Sequence, residues 1–360
     1  MYLYLKSFSQ FKEHIGNLEL ESTEQLMIMV GEKSAQNINE LIEYLNNKNV
    51  KFFGGIYPRL LVGNRSYSEG FIIQKYEPIY TAMVLPYLMR FKLDLESLSN
   101  CTAIVLVDGL SSKMKDLADT VYNKLENNVK YIGGGAGFYD LNHRPCIFDN
   151  KGLFSDVLYI CIVRSDAKIA VKHGWNKLEG PFVVKESAQN TLAQLDGYSA
   201  FEVYKDVIEE HENIRLLKQD FFIYAKDHPF GIVKENQADI IVRDPIMVND
   251  NDEIVCVADI PQGSEVYVLK GDVNTLLSSS LQIAEQCAAM APKNYIPLLF
   301  DCISRAMFLE ERFEEELKNI QNKLSFTVEG ALSIGEIASE SNGQLVIHNK
   351  STILGLLEID

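Results

Sequence analysis

Three times along the chain, a continuous apolar run gives way to a stripe of helical period and then to a second apolar run that meets glycine. In residues 26–55, LMIMVGEKSAQNINELIEYLNNKNVKFFGG, Leu26–Val30 predict a buried strand. Ile38, Leu41, Ile42 and Leu45 then fall at helical spacing, and Val50–Phe53 give a second strand. The unit at 103–135 repeats the pattern, with Met114, Leu117, Val121 and Leu125 on the helical face and Gly133, Gly134 and Gly135 at its end. KNVKFFGG at 48–55 and NNVKYIGG at 127–134 share Asn, Val, Lys and both glycines. A third unit spans 296–337: IPLLF is the strand, Leu309, Phe313, Leu317 and Ile320 form one longer helical stripe, and Gly330 and Gly335 follow. Strand–helix–strand units of this length close as parallel pairs through right-handed crossovers. Their repetition predicts an internal duplication.

After each glycine run the pattern turns extended. Residues 56–77 and 136–163 alternate turn residues with β-branched and aromatic runs, as hairpins and meanders do. Further strands are expected in AKIAVKHGW (167–175) and GPFVVKES (180–187), a helix around 197–211, a meander over 239–272, and a helix from Val273 that stops before Pro292. The expected class is α/β, with mixed sheets built from repeated strand–helix–strand units and β meanders in two domains, 1–210 and 211–360. The boundary falls in the charged stretch KDVIEEHENIRLLKQD at 205–220.

Composition narrows the function classes. A net charge of −16, from 34 basic and 50 acidic residues, disfavours nucleic-acid binding, which draws its affinity from cations on phosphates. No apolar stretch approaches the roughly 20 residues that span a bilayer, and the N-terminus has no basic-then-apolar signal pattern. Six cysteines lie scattered without CxxC or metal-ligand spacing, and the histidines form no HxH or HxxxH pair. The expectation is a reduced, cytoplasmic protein with no metal, cofactor, nucleic acid or membrane partner.

The glycines after each second strand are not a phosphate cradle: GGGAGFYD has no lysine and opens no helix. Two readings remain open. Glycine permits a bend or the close approach of another backbone, or its bare backbone also lines a pocket. The strand-to-helix turns carry Gly31-Glu32, Asp108-Gly109 and Asp301-Cys302, at the strand ends where open α/β sheets bind ligands. A carboxylate there could receive an ammonium group or cap the next helix. Cys302, near a helix N-terminus with Arg305 one turn on, has the setting that depresses a thiol pKa, and a buried core thiol is the alternative. Arg305 could fork onto a ligand carboxylate or serve a structural bond.

Several of these stretches, in order, resemble the FIST sensory domain of bacterial signal-transduction proteins, in both its N-terminal and C-terminal parts. They are VKYIGGGAG, 172–204 with its GW and LDG turn, 242–269 with R-x-P and P-x-G, LLFDCISR, and 330–357 with GEI and HN-x-T. One departure stands out: after the first crossover this chain has GGIYPRLLVGNR, without the family's cysteine and acidic residue. The resemblance implies a stand-alone sensor that binds a small ligand, amino acids among those proposed, and signals through a partner in trans. The strand-end turns and glycine run read above then supply the candidate ligand residues: Asp108, Gly133, Gly134, Gly135, Asp301, Cys302 and Arg305. A thiol-dependent hydrolase or transferase using Cys302 is the alternative.

Overall fold

The computed structural model describes residues 3–233 and 240–359. Asp239, where the expected meander begins, lies outside the described residues. All three repeated units form. The first is β1 (Gln25–Gly31), α1 (Ile38–Asn47) and β2 (Phe52–Tyr57). The second is β3 (Thr102–Asp108), α2 (Met114–Leu125) and β4 (Lys130–Ala136). The third is β5 (Tyr295–Cys302), two helices α3 (Ile303–Leu309) and α4 (Phe313–Gln321), and β6 (Glu329–Ser333). In each unit the two strands pair in parallel. They are buried from end to end apart from Lys130, so they read as unbroken apolar runs rather than alternating ones.

Each parallel pair is the centre of a six-stranded mixed sheet. An antiparallel strand flanks the first member: Phe71–Tyr76, Leu158–Val163 or Thr352–Glu358. A short hairpin flanks the second, and it comes from a different repeat. The hairpin after β2 (Leu60–Val62, Arg65–Tyr67) joins β6. The one after β4 (Ile147–Asp149, Gly152–Phe154) joins β2, and the one after β6 (Glu336–Ser339, Leu345–His348) joins β4. The three sheets therefore hold one another in a closed ring of exchanged hairpins.

A fourth, mixed-length antiparallel sheet draws its strands from 176–270 and packs helices Ala200–Glu212 and Phe221–Ala225 over a separate core that includes Phe201, Tyr204, Phe221 and Phe230. The architecture is mixed α/β in two parts, as the pattern predicted. The expected single long helix of the third unit is interrupted. Glu310 adopts φ 50, a three-residue 3-10 turn follows, and the chain restarts as α4 on a new axis.

Candidate functional site

The glycines lie where the three sheets converge. Gly54, Gly133 and Gly330 occupy equivalent registers, opposite Ile28, Val105 and Leu299. A methyl group on them would stand 2.0, 1.8 and 1.8 Å from the carbonyl oxygens of those partners. Gly134 faces the Phe300 ring, with a methyl position 2.6 Å from it, and Gly135 faces the Ile334 carbonyl at 1.9 Å. None of Gly133, Gly134 or Gly135 has a positive φ. Close approach of backbone and side chain, rather than a bend, requires glycine here.

At the C-terminal end of β5 lies a cluster of charge with almost no exposure. Arg305 forks onto Glu316, Nε to Oε1 at 3.1 Å and Nη2 to Oε2 at 2.8 Å, and Asp301 Oδ1 stands 3.5 Å from its Nε. Its other donors go to the carbonyls of His173 and Leu276 and to Ser279 Oγ. Thr352 Oγ1 lies 3.1 Å from Asp301 Oδ1 and 3.2 Å from Glu316 Oε1. Beside this group, Lys350 Nζ pairs with Asp244 Oδ1 at 2.9 Å, Ser304 Oγ donates to Asp244, and Ser333 Oγ donates to Glu336 at 2.8 Å. Four carboxylates (Asp244, Asp301, Glu316, Glu336) thus share two cations, all with exposures of 2% or less. Burial, with Glu316 nearby, pushes the Asp301 carboxyl well up, and burial does the same to Glu336. Upward shifts favour the uncharged acid at both positions, which lowers the charge carried into a low-dielectric interior.

The network places the sequence-derived candidates. Arg305 is wholly engaged within the protein, its donors spread over Glu316, two carbonyls and Ser279. Cys302 occupies the N-cap position of α3 without a side-chain capping bond, and its thiol is pushed well up by burial and then by Glu336 and Asp244, opposite to the depression expected from a helix N-terminus and Arg305. Cys302, Asp244, Asn349 and Gly335 line a cavity of about 10 Å³, room for about one water.

A larger space lies behind the network. A half-open cleft of about 1010 Å³ runs between strand Lys168–Lys172, helix Val273–Met290 and the Glu336–His348 hairpin, with Lys172, His173, Trp175, Gln282 and Ser341 among its lining residues. Among the described residues, strand Lys168–Lys172 is the edge of its sheet and pairs with Thr352–Glu358 alone. The turn that follows it is tied inward. The His173 carbonyl accepts from Arg305, Trp175 Nε1 donates to the Lys350 carbonyl at 2.8 Å, and the Lys350 ammonium stands 5.1 Å from the Trp175 ring centroid. None of the seven candidates lines this cleft, although Arg305 buttresses its wall. Its residues escaped the sequence reading; the GW in the family-like stretch was the signal pointing to them.

Asp108 ends β3, 1% exposed. Its Oδ2 accepts the Asp156 amide at 2.8 Å and meets His143 Nε2 at 2.8 Å, and its Oδ1 accepts the Leu110 amide at 3.3 Å. Its carboxylate also pushes up the Cys146 thiol, after burial. His143 and Asp156 went unnoticed in the sequence because 35 and 48 residues separate them from Asp108. The crossover was the available signal, since residues just past β4 must sit beside the end of β3.

Family comparison matches the FIST N domain over residues 59–198 and the FIST C domain over 200–339, most of the chain. The chain belongs to the FIST family. FIST domains are sensory domains of signal-transduction proteins, so the fold, the cleft and the buried network belong to a sensory module. Comparison with curated proteins gave no match. Among the described residues, no helix of this FIST protein is long and apolar enough to cross a membrane.

Proposed function

We propose that this chain is a sensor that binds a small polar ligand in the cleft beside His173 and Trp175 and passes its bound state to a signalling partner protein in trans. The observation that carries the reading is the wiring of the cleft wall. The turn a ligand would touch is bonded to the Arg305 guanidinium through the His173 carbonyl and to the backbone carbonyl of Lys350 through Trp175 Nε1, with the Lys350 ammonium 5.1 Å from the Trp175 ring centroid. A ligand that moves this turn has to re-partner buried charges, which turns a small displacement into a change between discrete packings. The volume suits a metabolite. Lys172 in the lining, with the amide of Gln282 and the hydroxyl of Ser341, favours a ligand carrying a carboxylate, amino acids among them. A cytoplasmic location belongs to the same proposal, resting on six free cysteines.

Trp175 is the chain's one tryptophan, so its emission reports the cleft alone. Titration with amino acids, other carboxylates and nucleotides is expected to shift that emission for one class, with a matching rise in Tm. Lys172→Ala is expected to weaken the same response. A panel that changes neither fluorescence nor Tm overturns the proposal.

A further inference from the structure

We infer that Asp108, His143 and Asp156 form a binding site for a divalent first-row transition-metal ion of the zinc type. One ligand atom from each residue lies within 4.8 Å of the others. His143 Nε2 stands 2.8 Å from Asp108 Oδ2 and 3.9 Å from Asp156 Oδ1. Ligand atoms each about 2.1 Å from one ion stand roughly 3.0–3.4 Å apart, so the observed separations bracket the required ones. The adjustment falls on His143 and Asp156, which are 41% and 36% exposed and free to move by tenths of an ångström. Asp108 keeps its place through the amides of Asp156 and Leu110.

A second observation concerns charge. Asp108 is a buried carboxylate that, among the described residues, pairs with no lysine or arginine; the His143 imidazole faces it. Buried carboxylates are ordinarily paired with a cation or coordinate a metal. Two carboxylates supply the charge a divalent ion needs. The imidazole nitrogen favours zinc, cobalt or nickel over magnesium and calcium, which prefer all-oxygen ligands. Ser111 Oγ, 2.6 Å from Asp156 Oδ1, orients that carboxylate, and the exposed side leaves room for a water ligand. Lys113, 3.9 Å from Asp156 and half exposed, can swing into solvent. The bound ion clamps the segment after β4 to the end of β3, in a place separate from the cleft.

The test uses the full chain, stripped with a chelator, titrated with Zn²⁺ by calorimetry and with Co²⁺ by visible absorption. The expected result is one ion per chain and cobalt bands typical of mixed nitrogen–oxygen ligation. His143→Ala and Asp156→Asn should each lower affinity at least about 10-fold. Wild-type protein that shows no saturable binding overturns the site. Variants that bind with unchanged stoichiometry and affinity overturn it equally, since the ion then sits elsewhere. Either failure leaves the cleft reading untouched, because no cleft residue takes part.

Discussion

Arg305 and Glu316 stand 11 residues apart in sequence, yet their side chains meet in a two-pronged ion pair with neither exposed. In a continuous helix that separation would put them about 16.5 Å apart along the axis. The break at Glu310 is what folds α4 back far enough for the pair to form. The interruption of the third crossover and the buried network are therefore one feature. Arg305→Ala should destabilise the protein by about 3–5 kcal/mol, since it strands the Glu316 charge in the interior. Urea unfolding measures it, and Arg305→Met with Glu316→Leu should recover part of the loss. A single variant within experimental error of wild type would contradict the assignment.

The pH dependence follows from the two raised carboxyls. A folded pKa above the unfolded value gives stability that is fully present below the unfolded pKa, about 4 for Asp and Glu. That stability is lost as pH rises through the folded value. Asp301 and Glu336 both shift upward, so each steepens the loss of stability on the alkaline side. Glu336→Gln removes one such contribution. Its Tm relative to wild type should climb as pH rises above about 4, until Glu336 has ionised in the wild-type fold. Parallel curves would show that Glu336 ionises in the fold as it does in the unfolded chain.

The glycine register makes a sharper prediction. Gly133→Ala places a methyl 1.8 Å from a backbone oxygen that cannot rotate away, so β3 and β4 must separate. A loss of about 3 kcal/mol or more is expected. Gly197→Ala is the control: nothing lies within 4 Å, and its cost comes from φ +89 alone, about 1 kcal/mol. Equal chemical-denaturation midpoints for the two variants would refute the close-approach argument.

Cys302 should resist alkylation at neutral pH. It is 2% exposed with its thiol pushed well up, and all six cysteines are free and buried. Native protein is expected to react slowly with a thiol reagent and to release its full complement only on unfolding. Rapid, selective modification of Cys302 would reopen the thiol-enzyme alternative.

The strand–helix–strand units were legible in the sequence because their signals are local. A strand buried on both faces must be apolar throughout, as Leu26–Val30 and Ala103–Val107 are, and a helix laid on it must repeat at 3.6, as Met114, Leu117 and Val121 do. The repeated glycines were visible too, along with the choice between bend and close approach. What decided between those readings was the neighbour each glycine faces: Val105 and Phe300 belong to other strands, and Ile334 to the turn after β6. The exchanged hairpins, the pairing of Lys350 with Asp244 and the meeting of His143 with Asp108 rest on contacts between distant segments. A carboxylate at a strand end looks the same in sequence whether it caps a helix, holds a proton in the interior or faces an imidazole. Burial and the nearest opposite charge choose among those roles, and only the folded chain supplies both.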